Sequence, residues 1–413
     1  MDYFVITSIL VFLSALFGYI NFRFVKLPTT IGLTVITIFF TVIIFWLSYI
    51  DDTLLNAERF IITHIDFKTV LLDIMLSFLL FAGALHTDLE KLKEQRWPVL
   101  AFATFGVLVS TFLIGTSVYY AFMALGLQLK FIHCLLFGAL ISPTDPIAVL
   151  GILKKAGAPK KLEIKIVGES LFNDGVGVVI FLTLFGLASG SGNGFSLNEV
   201  LELFVVEVFG GLLLGAFLGW LTYRLMRSID DYNIEVILTL AAVMTGTVLA
   251  QYLHVSAPLA MVVAGLIIGG NKTREAAMSK LTQDYVDKFW ELVDILLNMI
   301  LFVLIGMEIL VLDLDTQYVI AGLLVIPIAL ICRYLSLILP VNLFRKKLDF
   351  VPNTNLIMTW GGLRGAISIA LALGLTEAME RDLFLVVTYI VVIFSIVVQG
   401  LTVEKLITKL KLN

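Results

Sequence analysis

Charged residues are scarce in this sequence. Asp, Glu, Lys and Arg fill 15% of its 413 positions, against roughly 25% in soluble globular domains, so no water-facing surface can be assembled from it. Cysteine is almost missing: Cys134 and Cys332 both fall inside apolar runs and read as small core residues, which excludes a disulfide framework. The four histidines, His64, His86, His133 and His254, stand apart and mostly near the ends of apolar segments, so no nitrogen-rich transition-metal site forms. Neither a nucleotide-binding loop nor a nucleophile–histidine pair is visible. No cofactor, nucleotide or nucleic acid is expected, and the chain is not read as an enzyme. No soluble domain or low-complexity tail is expected either. The first apolar run is too long for a signal peptide and lacks a cleavage pattern, so it reads as an anchor.

What the sequence holds instead is apolar residues, 60% of the total, in long uninterrupted runs. Tyr3 to Phe22, Leu27 to Ile50, Trp97 to Leu129 and Leu383 to Val403 contain no charge at all. About 20 such residues cross the hydrocarbon core as a helix, which satisfies its own backbone; a barrel would alternate. An all-α membrane protein of about thirteen spans is expected, at roughly 3–22, 27–50, 69–87, 97–127, 131–153, 162–189, 198–226, 233–253, 256–270, 284–311, 317–344, 353–376 and 383–403. Basic residues test the layout. One set of alternate loops holds Arg23 and Lys26, the Lys91–Arg96 and Lys154–Lys161 clusters, Arg224, Arg227, Arg274, Arg345–Lys347 and Lys405–Lys411, whereas the other holds only Arg59, Lys68, Lys130 and Arg381. Basic loops stay cytoplasmic. The N-terminus is therefore expected outside and the C-terminus in the cytoplasm of a cell membrane.

Thirteen divides as six, one and six. Residues 1–196 would form a first six-helix repeat, 197–229 a linker helix, and 230–413 a second repeat of opposite topology, a common transporter plan. Helix-breaking residues support it. Span five carries Pro143 and Pro146 around Thr144 and Asp145, and span twelve carries Gly361, Gly362 and Gly365 around Arg364. Each is the fifth helix of its half, and paired interruptions of this kind point to a transport site.

Charges deep in apolar runs are costly and face a cavity or a partner. The candidates are Asp145, Glu169, Asp174, Arg333 and Arg364. On span six, Glu169 and Asn173 are four apart, as are Ser170 and Asp174, so the polar groups crowd one side of a helix. Two carboxylates and a hydroxyl beside an unwound backbone make a hard oxygen site for a small alkali cation. An ion pair between Arg333 and Glu169 would leave Asp174 free to titrate. Plainer readings stand beside these: Asp145 as a helix cap, Glu169–Arg333 as structural, and Arg364 as balancing the carbonyl end of a half-helix. Glu199, Glu202, Glu235, Glu291, Asp294 and Glu308 lie toward span ends, where solvated faces are expected. Glu207 is deeper and unexplained.

Thr144-Asp145-Pro146, the string Gly168 to Gly175 (GESLFNDG) and Trp360-Gly361-Gly362-Leu363-Arg364-Gly365 resemble the sodium/proton exchangers of the monovalent cation:proton antiporter-1 family (NhaP and NHE type). The resemblance covers almost the whole chain. It implies a homodimer whose core is spans four to six and eleven to thirteen, the remainder forming the dimer domain. It also implies Na+ bound at Asp174, Asp145, Ser170 and the Thr144 carbonyl, with Glu169 nearby and Asn173, Arg333 and Arg364 stabilising the site. An Asn-Asp pair in the sixth helix implies one cation exchanged for one proton. No counterpart of the long cytoplasmic regulatory tail of animal members is expected.

The function read from these residues is electroneutral Na+/H+ exchange, Li+ included, in which cation and proton compete for buried Asp174. K+/H+ exchange is the alternative, since oxygen ligands do not fix cation size. A passive cation channel, which needs a continuous pore, is the reading from another class.

Overall fold

A computed structural model describes residues 3–49, 51, 53, 55, 69–145, 153, 159–189, 197–309, 312, 315–344 and 350–410. Its main helices are α1 (Tyr3–Ile20), α2 (Thr29–Leu47), α3 (Thr69–Leu85), α4 (Arg96–Ala124), α5 (Phe131–Ile141), α6 (Lys160–Ala188) and α7 (Leu197–Met226). They continue as α8 (Tyr232–Tyr252), α9 (Ala257–Gly269), α10 (Lys280–Glu308), α11 (Thr316–Phe344), the split pair α12a (Thr354–Trp360) and α12b (Ala366–Leu373), and α13 (Arg381–Lys409). Among the described residues the one extended pairing is an isolated antiparallel bridge between Asp145 and Leu363.

Among the described residues, nine helical spans are long and apolar enough to cross a bilayer, with 19 to 29 residues and mean hydropathy of 1.7 to 2.5; those in α1 and α7 are Phe4–Val25 and Phe204–Met226. At 1.5 Å per residue such lengths match or exceed a hydrocarbon core of about 30 Å. The thirteen crossings expected from the sequence are met by length at nine; the other four positions hold α3, α5, α9 and the α12a/α12b pair. Large apolar side chains such as Phe12, Phe39, Phe209, Leu213, Trp220 and Ile237 are exposed, the distribution suited to a lipid solvent.

The helices pack in two sets. In one, α4 lies along α5 and α11, α5 along α6, and α13 along α11 and α12b. In the other, α9 lies between α3 and α7, and α10 contacts α1, α2, α3 and α8. A separate buried cluster built on Phe81, Met261, Val286 and Trp290 holds the α3, α9 and α10 part together. The sets meet where α6 touches α7 and α9 and where α12b touches α10.

Two expectations about span-end acids are corrected. Glu235 and Glu308, expected on solvated faces, are buried. Glu235 reaches back to accept the Asp231 N–H at 3.2 Å, so its burial serves the first turn of α8. Asp294, expected on a solvated face, is half-buried and lines a cavity that opens on the basic-loop side. Glu207 is half-buried on α7, and its carbonyl accepts the Ser256 N–H that opens α9, at 3.1 Å. Pro146, Lys154, Lys155, His64, Arg59, Lys68, Arg345–Lys347 and Lys411, together with the side chains of Glu199 and Glu202, lie outside the described residues.

Close backbone approach fixes α4 against α5. A Cβ at Gly138 would stand 2.3 Å from the Thr111 carbonyl oxygen, a gap only glycine permits. We expect Gly138→Val to force the two helices apart and cost about 1–3 kcal/mol. Thermal unfolding of the purified protein reads it; an unchanged melting temperature would contradict the contact.

Candidate functional site

The helix of α5 stops at Ile141 because Pro143 offers no N–H to continue it. Ser142 turns its hydroxyl back to the Gly138 carbonyl at 2.7 Å and stands beside the Ser110 and Thr111 hydroxyls at 3.1 and 3.3 Å. Opposite, α12 opens between Trp360 and Ala366, where Gly361, Gly362 and Gly365 cluster. The two gaps cross. The Asp145 N–H donates to the Leu363 carbonyl at 2.8 Å. The Arg364 guanidinium donates to the carbonyls of Ser142 and, at 2.9 Å, Pro143.

These bonds answer a backbone question. A helix that ends in the membrane leaves carbonyls unsatisfied, with no water to take them. Arg364, itself in the gap of α12, covers the open carbonyl end of α5. The Arg364 N–H is in turn accepted by the Ser395 hydroxyl at 2.8 Å, and Gln399 donates its amide to the Trp360 carbonyl at 3.0 Å. Ser395 and Gln399 bound a π-helical turn of α13, a local widening of the kind common at functional sites. Neither residue was singled out from the sequence. The available signal was two polar side chains four apart in a charge-free run.

Helix α6 supplies the acids. It runs unbroken for 29 residues, with Glu169, Ser170, Asn173 and Asp174 all buried on it. Asn173 and Ser170 face the gap of α5. Asn173 donates its amide to the Thr144 hydroxyl at 2.9 Å and accepts the Thr144 N–H at 3.4 Å, while the Ser170 and Thr144 hydroxyls lie 3.1 Å apart. Glu169 points elsewhere, to the Arg333 guanidinium of α11 at 2.6 Å, with both side chains 1% exposed. Arg333 thus pairs with Glu169, and Asn173 holds Thr144. Nε and Nη1 of Arg333 have no hydrogen-bond partner among the described residues.

Asp145 and Asp174 sit apart from these locked groups. Both line a cavity of about 740 Å³, together with Pro143, Gly365 and Ser368. Ser170 and Thr144 are not among its lining residues; their hydroxyls lie buried against each other. A Cβ on Gly365 would come within 2.6 Å of an Asp145 carboxylate oxygen, so the carboxylate rests on the backbone just ahead of α12b, where a helix N-terminus favours negative charge. The far end of the cavity is formed by His86, Asp88, Lys91, Lys160, Glu163 and Asp287, at helix ends on the basic-loop side. Its lining carries seven carboxylates against two lysines, a field that gathers cations. At this mouth the Lys91 ammonium donates to Asp88 at 2.6 Å and holds its carboxyl below the usual carboxylate range.

The Glu169–Arg333 pair makes a stability prediction. Removing one member of a buried ion pair costs about 3–5 kcal/mol, while replacing both with apolar residues of similar size is often neutral. We expect Glu169→Leu or Arg333→Leu alone to lower the melting temperature strongly and the double variant to recover most of the loss. Additive losses in the double variant would contradict the pairing.

Comparison with known proteins follows the same lines. The family described as "Sodium/hydrogen exchanger, transmembrane" matches residues 11–409. The chain is 50% identical over 403 residues to the Na(+)/H(+) antiporter NhaP of Pseudomonas aeruginosa, covering 96% of this chain and 95% of that one. It is 34% identical over 359 residues to the Na(+)/H(+) antiporter NhaH of Halobacillus dabanensis, covering 86% of each. Among solved structures, the sodium proton antiporter MjNhaP1 of Methanocaldococcus jannaschii at pH 8 superposes with a TM-score of 0.77 over 99% of both chains at 20% identity, which shows a shared fold. With its crossed broken helices and its acids deep among apolar spans, this chain belongs to the transmembrane sodium/hydrogen exchanger family.

Proposed function

We propose that the protein exchanges Na+ for H+ across the cell membrane, electroneutrally, through competition of the two ions for Asp174. The carrying observation is the division among the acids. Glu169 is neutralised by Arg333, whereas Asp174 and Asp145 face a cavity that reaches the basic-loop side. A bare carboxylate is expensive to carry through the membrane interior, and either a proton or a sodium ion neutralises it. Both loaded forms therefore bear the same net charge. The unloaded anion does not cross, which couples the two fluxes.

The relatives bearing the name Na(+)/H(+) antiporter support this substrate pair. Sodium would rest between Asp174 and Asp145, with the Ser170 hydroxyl and the Thr144 carbonyl reached once the Thr144–Ser170 contact of 3.1 Å loosens around it. Asn173, Arg333 and Arg364 keep the frame. The set of helices α4–α6 and α11–α13 is the moving core in this reading, shifting against a dimer-forming set of the remaining helices. The basic residues at the cavity mouth, Lys91 and Lys160, support an inward-open form with the N-terminus outside.

In proteoliposomes, Asp174→Asn should abolish sodium-driven collapse of a pH gradient while the protein still elutes as a folded species. Retained exchange would overturn the role of Asp174. Clamping the membrane potential should leave the wild-type rate unaltered, and a clear voltage dependence would refute electroneutrality. Rates compared in Na+, Li+ and K+ at one pH gradient separate sodium from potassium exchange. Ion currents without proton movement would turn the reading to a channel.

A further inference from the structure

One buried acid takes no part in the exchange described above. Glu308 closes α10 at the end away from the basic loops and is 6% exposed. Three effects disfavour a carboxylate there. Burial strips its water, and the carbonyl end of a helix repels negative charge. Among the described residues, moreover, no basic group stands within ion-pair distance of it. A group held at such cost calls for a use in another state of the protein.

Its place on α10 supplies that use. Asp287, Asp294 and Leu301 of α10 line the cavity, and Glu308 is the next residue in the same seven-residue step. Seven residues make almost two helical turns, drifting about 20° per step, so Glu308 continues the face that α10 turns toward the core helices. From Asp287 to Glu308 the axis rises about 31 Å at 1.5 Å per residue, close to the ~30 Å of a hydrocarbon core. One acid thus stands at each end of the stripe. Asp287 lies in the open cavity mouth, whereas beyond Leu301 every residue from Phe302 to Glu308 is buried. Helix α13 of the core set covers this stretch. Its Tyr389, 1% exposed, donates its hydroxyl to the Ile305 carbonyl at 3.3 Å and lies within electrostatic range of Glu308. That bond crosses the seam between the two sets of helices.

We propose that Glu308 is the cation-gathering acid of the outward-open form, the counterpart of Asp287 at the inner mouth, held shut here beneath Tyr389. The inference rests on the exchange reading, in which the core shifts against the set that holds α10. A shift that closes α10 on the basic-loop side of Leu301 and uncovers it on the far side breaks the Tyr389–Ile305 bond and gives Glu308 to water. A carboxylate at the rim of a narrow opening then raises the local Na+ concentration at the outer face. Glu308 acts on the approach of the ion and does not bind it beside Asp174, so it is a positioning residue, and its effect belongs to one face only.

The test presents Na+ to one face at a time, in membrane vesicles of uniform orientation. Glu308→Gln should raise the KM for Na+ at the outer face by about threefold or more and leave the inner-face KM unchanged. Glu308→Asp should keep both near the wild-type values. Exposure is read separately. In a chain carrying Cys134→Ala and Cys332→Ala, both buried positions, Glu308→Cys should react with a membrane-impermeant thiol reagent from the outer face during turnover, and not from the inner one. A general loss of packing would move both faces together. Equal KM shifts at the two faces, an outer KM that Glu308→Gln leaves in place, or a cysteine that neither face labels would overturn the role of Glu308 and leave the exchange reading standing. Wild-type vesicles that fail to exchange Na+ for H+ at all would remove the exchange reading instead, whatever the labelling shows.

Discussion

The crossing of two interrupted helices is the constraint on which the site depends. Breaking α5 at Pro143 exposes carbonyls where no water is on hand, and breaking α12 at its glycines does the same. Each gap is closed from the other. Arg364 donates to Ser142 and Pro143, and the Asp145 N–H donates to Leu363. The cation in the gap of α12 thus satisfies the backbone of α5, and the same crossing presents Asp145 to the cavity. A backbone unwound in hydrocarbon without such cover would lose several kcal/mol per orphaned group.

Around that crossing the acids acquire different duties from different neighbours. Glu169 and Asp174 stand on one helix five residues apart, yet one is paired with Arg333 and the other opens on the cavity. Asn173 between them is bonded to Thr144 through both its amide nitrogen and its amide oxygen, holding the loop of α5 in position. Helix α10 adds Asp287, Glu291 and Asp294 to the lining of the cavity. Acids thus line the cavity from its mouth at Asp88 to Asp174 and Asp145.

Much of this was legible in the sequence, for a physical reason. Charges in apolar runs are so expensive that Asp145, Glu169, Asp174, Arg333 and Arg364 marked themselves, and the structure gathers all five at or beside the crossing. Pro143 and the glycines at 361, 362 and 365 marked the two breaks. Neutral polar residues were harder to read. Ser395 and Gln399 carry no desolvated charge, and only the π-helical turn of α13 brings both to face the gap of α12. The acids near helix ends misled for the opposite reason. Distance from the middle of a span suggests solvent, yet Glu308 is buried by packing and Glu235 by its bond to the start of α8.

The central claim is that one buried carboxylate accepts a proton or a sodium ion and never the two together. Calorimetric titration of the purified protein with Na+, repeated in buffers of different ionisation enthalpy, counts the protons released as the cation binds. The account predicts about half a proton leaving per Na+ bound at the midpoint of the acid's titration, rising toward one at lower pH. Sodium binding with no proton release at any pH would contradict it.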